Sequence, residues 1–243
     1  MKKILHYALM ISMLATTSCS KNEEDNSVIP VPDPVFKAYL LDHFDYNNNG
    51  EISFTETQWI TQIWIEDASA IKSFEGIEYF TELELLVIKN CNINSLDISK
   101  NTKLREILFD NVEITSFDLS KNTNLTRLNY TNSKLTSIDV RKNEKLERLD
   151  CSANQLTSID VSKNILLEEL NCNNNQLTEL DVSKNVLLGY LNCSSNNLTH
   201  LDLRFNVNMR SVRCYFNSIV NLILIQGHDY DINRDHFTNI IYI

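Results

Sequence analysis

Residues 45 to 56 read DYNNNGEISFTE, with oxygen-bearing side chains at alternate positions Asp45, Asn47 and Asn49. Gly50 stands where a tight loop needs a positive φ, and Ser53 and a closing Glu56 follow. A calcium ion takes six to eight oxygens from a loop that wraps it, one of them a backbone carbonyl, here that of Glu51. The order of donors fits that chemistry. Two are neutral asparagines, so the expected dissociation constant is weak, on the order of 10⁻⁴ to 10⁻³ M. The same residues also suit an asparagine-rich turn that keeps its shape with no ion.

Other side chains that could do chemistry fall into columns. Cys151, Cys172, Cys193 and Cys214 stand 21 residues apart, and Ile88, Phe109 and Tyr130 hold the equivalent places upstream. Exchange with apolar residues points to buried thiols acting as small hydrophobes. Zinc and disulfide readings are weaker, because metal sites want tightly spaced cysteines and parallel side-chain vectors pair poorly. Asn154, Asn175, Asn196 and Asn217 form a second column suited to bonding the backbone of a turn, a place held earlier by Cys91, Val112 and Ser133. Asp97, Asp118, Asp139, Asp160, Asp181 and Asp202 form a third, five of them followed three residues later by lysine. Stacked carboxylates could hold metal, yet the lysines and nearby serines favour backbone capping with local charge compensation. His6, His43, His200, His228 and His236 pair with no serine or cysteine nucleophile, and no glycine-rich phosphate loop or HExxH motif occurs, so no enzyme is expected.

These columns need a repeating frame to position them. LERLDCSANQLTSIDVSKN, LEELNCNNNQLTELDVSKN and LGYLNCSSNNLTHLDLRFN follow at a period of 21, and the frame extends to units starting at Leu83, Leu104, Leu125 and Met209. Fixed short periodicity means a solenoid. Leu149 and Cys151 alternate with Arg148, Asp150 and Ser152, the period of a strand buried on one face. Stacked in register, such strands form a parallel sheet. So short a unit predicts turns or extended segments on the return path.

The spacing L-x-x-L-x-C-x-x-N-x-L resembles the leucine-rich repeat, in a cysteine-containing form similar to that of internalin J. The resemblance implies an α/β-type repeat solenoid with the sheet on the concave face. Seven repeats are expected over 81–227, with a C-terminal cap over 228–243. The 45–56 loop resembles an EF-hand. With the helix that Asp33 and Pro34 can start, it predicts a helical cap over 33–80 whose end, around Ile71, Ser73 and Phe74, forms a degenerate first repeat. Trp59, Ile60, Ile63, Trp64 and Ile65 are expected as an apolar ridge of that cap.

Residues 1–18 read as a secretion signal: Lys2 and Lys3, an apolar run too short to span a bilayer, then small residues. Ser18-Cys19 resembles a lipoprotein signal, implying lipidation of Cys19 and a membrane anchor. Residues 19–32 are expected as a flexible tether, and Glu23, Glu24 and Asp25 resemble the export signal of surface lipoproteins in Bacteroides-like bacteria. The implied location is the outer membrane, facing outward. With 22 basic and 32 acidic residues and a net charge of −10, the chain offers no surface for nucleic acid.

Solenoids of this kind bind through the concave face. Candidate ligand-binding residues there are Arg127, Arg148, Asp150, Tyr190, Asn192, Arg213 and Tyr215, with Phe216 beside them. Leu85, Val87 and Leu108 form an apolar patch near the cap. Tyrosine and arginine anchors suit a protein interface. The resemblance implies adhesion or protein recognition by a single chain outside the cell, with glycan capture as the alternative and an architectural envelope role as a third. The tail, ending Ile240, Ile241, Tyr242 and Ile243, either leaves the aromatic end open or folds over it.

Overall fold

A computed structural model describes residues 26–114, 117–236 and 238–243. The signal segment, Cys19 and the acidic triplet lie outside the described residues.

The chain enters as an extended segment. Val28 bridges Ser53 in antiparallel fashion, the Ile29 amide donates to the Ile52 carbonyl at 2.9 Å, and Ile29 is buried. Residues 26–32 are therefore folded onto the loop and are no flexible tether, held by the burial of Ile29 together with the Ile29–Ile52 and Phe54–Ser27 backbone bonds. Asp33 caps α1 (Pro34–Phe44), accepting from the Val35 and Phe36 amides at 2.9 Å, with Pro34 in the first turn. Phe36 and Leu40 face the core. After the 45–53 loop, α2 (Phe54–Thr57) is a single turn closed by a Ser53–Glu56 capping box.

The helical cap is minor, since β1 (Gln62–Ile65) takes over at once. The tryptophan-containing ridge is a strand with Ile63 and Ile65 buried, while Trp64 faces out and Trp59 precedes it in the open. A 3₁₀ turn, Ile77–Tyr79, leads into β2 (Leu85–Cys91), β3 (Glu106–Val112), β4 (Arg127–Thr131), β5 (Arg148–Asp150), β6 (Glu169–Asn171) and β7 (Tyr190–Asn192). Then come β8 (His200–Asp202), β9 (Ser211–Arg213), β10 (Asn221–Leu224), β11 (Asp231–Asn233) and β12 (Asn239–Tyr242).

Nine strands, β1 to β7, β9 and β11, form one parallel sheet. From β3 to β9 the partners keep the 21-residue period: Arg127 lies beside Arg148, Arg148 beside Glu169, Glu169 beside Tyr190 and Tyr190 beside Ser211. β8, β10 and β12 make a second, three-stranded parallel sheet on the return path; elsewhere after residue 79 that path is turns and extended chain. The tail does not fold over the aromatic end. It supplies β11 and β12, because Ile232 and Ile240 continue the core rows of Val212 and Leu222 while open strand edges accept its backbone bonds. Ile241, Tyr242 and Ile243 stay exposed.

Leucines at the repeat positions and Cys151, Cys172, Cys193 and Cys214 line one continuous core. All five described cysteines are free. Burial pushes the Cys151, Cys172 and Cys193 thiols far up and Cys214 up to about 11, so these are apolar fillers and no thiolate ligands.

Candidate functional site

Two asparagine columns hold the strands in place. Asn175 Nδ2 donates to the Cys151 and Cys172 carbonyls at 3.0 and 3.1 Å, and its Oδ1 accepts from the Leu156 amide at 2.9 Å. Asn154, Asn196 and Asn217 repeat the pattern. Turning the chain there ends β5, β6 and β7 after three residues, whereas β2 and β3, with Cys91 and Val112 at that place, run on for seven. The second column, Asn101, Asn122, Asn143, Asn164, Asn185 and Asn206, was not singled out from the sequence. Each is fully buried, and Asn164 Nδ2 reaches the Val140 and Asn143 carbonyls at 3.0 and 2.8 Å. Its signal was available as the final asparagine of each SKN, RKN or RFN.

The aspartate column caps turns. Asp97, Asp118 and Asp181 accept the amide of the serine two residues on at 2.7 to 2.9 Å, and those bonds lower their pKa values. At Asp139 the Arg141 guanidinium bond is the main cause, drawing the carboxyl down to about 2. Among the described residues, no group of three or more His, Cys, Asp or Glu side chains is placed to hold a metal ion.

On the concave face Arg127 and Arg148 are neighbours, each leaning toward an outer carboxylate: Arg127 to Glu106 at 3.8 Å and Arg148 to Glu169 at 3.5 Å. Both pairs are exposed and weak, leaving guanidinium donors free for a ligand. Asp150 accepts from Asn171 Nδ2 at 2.9 Å and Ser152 Oγ at 2.6 Å, so it is oriented within a recess of about 230 Å³ that Tyr190 closes. The Arg213 guanidinium lies 5.8 Å from the Tyr190 ring centre, and Tyr215 meets Phe216 edge-on at 5.1 Å.

Two expectations fail here. Asn192 is buried and spends its Oδ1 on Ser194 Oγ at 2.6 Å, so it is no ligand contact. Val87, in register between Trp64 and Leu108, is fully buried, and the exposed member of that row is Trp64.

The 45–56 donors do converge on one loop. The Asn49 amide donates to Asp45 Oδ1 at 3.1 Å and to Asn47 Oδ1 at 2.9 Å, the Gly50 amide to Asp45 Oδ2 at 2.9 Å, and the Glu51 amide to Asn49 Oδ1 at 2.9 Å. Glu56 Oε1 accepts the Tyr46 amide at 3.0 Å while Oε2 takes the Ser53 amide and hydroxyl at 2.9 and 2.8 Å. The Glu51 carboxylate turns away to Lys37 at 2.7 Å. The loop thus holds its shape by its own bonds: each Asp45 oxygen accepts one and keeps a second lone pair, whereas both Glu56 oxygens already accept two.

No protein-family model matches the chain, and a search of curated proteins finds no match. Among solved structures the chain is similar to the functional domain of InlJ from Listeria monocytogenes, described as including a cysteine ladder. The two share 28% identity with a TM-score of 0.50 over 87% of this chain, which spans 59% of that structure's length. It is also similar to internalin C2 from Listeria monocytogenes, at 17% identity and a TM-score of 0.57, covering 94% of this chain and 99% of the other. With strand register, asparagine columns and these likenesses in agreement, the chain has the fold of a leucine-rich-repeat solenoid.

Proposed function

We propose that the protein recognises another protein outside the cell through the C-terminal half of its concave sheet, and performs no chemistry there. The observation that carries this is Phe216. It sits in the left-handed region at φ 55° with 72% of its surface exposed, in a column otherwise filled by asparagine, alanine or serine. A side chain with a Cβ in that region costs roughly 1–2 kcal/mol, and an exposed ring gains nothing from this chain's own core. Placed beside Tyr215 and the Tyr190–Arg213 stack, it offers the aromatic and arginine anchors that dominate protein interfaces. The likeness to internalins supports recognition in general.

The test presents residues 26–243 to paired arrays of extracellular proteins and glycans. Protein hits weakened about tenfold or more by Phe216→Ala and Arg213→Ala are expected. Hits on glycans alone, displaced by free sugar, would sink the reading. Display by a lipid on Cys19 at the outer membrane belongs to the same proposal, and Cys19→Ser should release the protein from the membrane fraction. So does a weak calcium site formed by Asp45, Asn47, Asn49, the Glu51 carbonyl, Ser53 and Glu56. Adding calcium at ten times a millimolar dissociation constant should stabilise the chain by about 1.4 kcal/mol, an effect lost in Asp45→Ala.

A further inference from the structure

The lateral edge leading into the strands changes character halfway along the stack. The repeat frame needs only Leu167, Leu188 and Met209 to point inward there, yet the residues before them are Ile165, Leu166, Val186, Leu187 and Val207, each between 40% and 56% exposed. Earlier turns carry Thr102 and Lys103, Thr123 and Asn124, then Glu144 and Lys145 at the same places. Strand register aligns the five apolar side chains in one stripe along the stack, with a step of about 4.8 Å. Exposed Lys163, Lys184 and Phe205 flank it on the return-path side. Glu168, Gly189 and Arg210 flank it toward the concave sheet, where the missing side chain of Gly189 leaves a recess of about 530 Å³ between Glu168, Glu169, Tyr190 and Arg210.

We propose that this stripe joins two copies of the chain about a two-fold axis parallel to the stack. Rotation about the stripe exchanges its two flanks while keeping each turn at its own level. Glu168 then faces Lys163 of the second copy, Phe205 faces Arg210 of the second copy, and Lys184 of the second copy enters the acidic recess at Gly189. All three contacts are favourable, and the lysine stem fills a notch that any side chain at position 189 would narrow. A two-fold axis across the stripe would instead set Lys184 against its own copy and leave the two notches facing each other. The stripe exposes apolar area on the order of several hundred Å², the range in which patches mark interaction sites, and its charged rim brings it toward the roughly 800 Å² per partner of a standard interface. The pair replaces the single chain that the repeats suggest as the working unit. It leaves both concave faces open beyond the edge at Glu169 and Tyr190.

Sedimentation equilibrium of residues 26–243 from about 1 to 200 µM tests this. The mass is expected to rise from one chain to two, and Val186→Glu with Leu187→Glu to weaken association about a hundredfold without changing the circular dichroism, both side chains being exposed. Glu168→Lys alone should weaken it about tenfold, and adding Lys163→Glu should restore it to within about threefold. A single chain throughout, or a dimer indifferent to the glutamates, overturns the interface. A Glu168→Lys loss that Lys163→Glu leaves unrestored overturns the parallel arrangement, because under the crossed axis Glu168 would meet Arg210.

Discussion

Asn164 lies in no strand, yet its amide nitrogen ties its own turn to the two carbonyls of the turn before. Cutting it to alanine removes two buried hydrogen bonds and leaves the Val140 and Asn143 carbonyls with only the turn bonds from the Asn143 and Leu146 amides, a cost of about 1–3 kcal/mol. Urea denaturation of Asn164→Ala should show a lowered midpoint with the slope unchanged. Its Oδ1 finds no protein partner, as at five other members of the column, so donation is the property that the position demands. Side chains of this kind were partly legible. The column at Asn154 was readable because asparagine there replaces apolar residues, while the one at Asn164 hid inside a polar run that looked like ordinary turn. Asn192 misled for the opposite reason: a polar residue at an outward strand position was expected to reach solvent, and Ser194 holds it down instead.

At the scale of elements, the 21-residue period made strands β2 to β7 and β9 legible, since alternation and register follow from repetition alone; β8, on the return path, was expected only as turn or extended chain. Strand length was not, because it depends on whether an asparagine turns the chain or, as at Val112, another apolar residue lets the ladder run on. α2 stops after one turn for a tertiary reason: Gln62 to Ile65 pair with Leu85 to Ile88, and that ladder outweighs local helix propensity. The buried thiols make their own forecast. Cys91 and Cys214 are pushed up to about 11 by burial, above the ordinary thiol value of 9. A raised folded value means that this contribution is whole below about pH 9 and is lost as pH climbs toward 11, because the unfolded chain ionises first. The urea midpoint should fall across that window. It should fall less in Cys214→Val, which keeps the volume and removes the titration.

Across the whole molecule, each turn rests only on its neighbours, so the ends decide how much core is exposed. Asp33 fastens the N-terminal cap to the stack: besides capping α1, its Oδ2 accepts the Lys72 and Ser73 amides at 2.7 and 3.2 Å. Asp33→Ala should cost about 1–3 kcal/mol, with hydrogen exchange speeding up first at Val35, Phe36, Lys72 and Ser73. The lateral stripe escaped sequence reading at this scale, because apolar residues beside a leucine column look like part of the core until the backbone shows which way they face.

The asparagine columns have a mechanical side as well. From Asn101 to Asn217 the turns are stitched to the ones before through the same few amide bonds, so tension applied along the stack loads these stitches in series. A chain built this way yields one turn at a time, each release paying out roughly 70 Å of extended backbone for its 21 residues. Displayed on a cell as proposed, such a stack would lengthen turn by turn under shear before its grip fails.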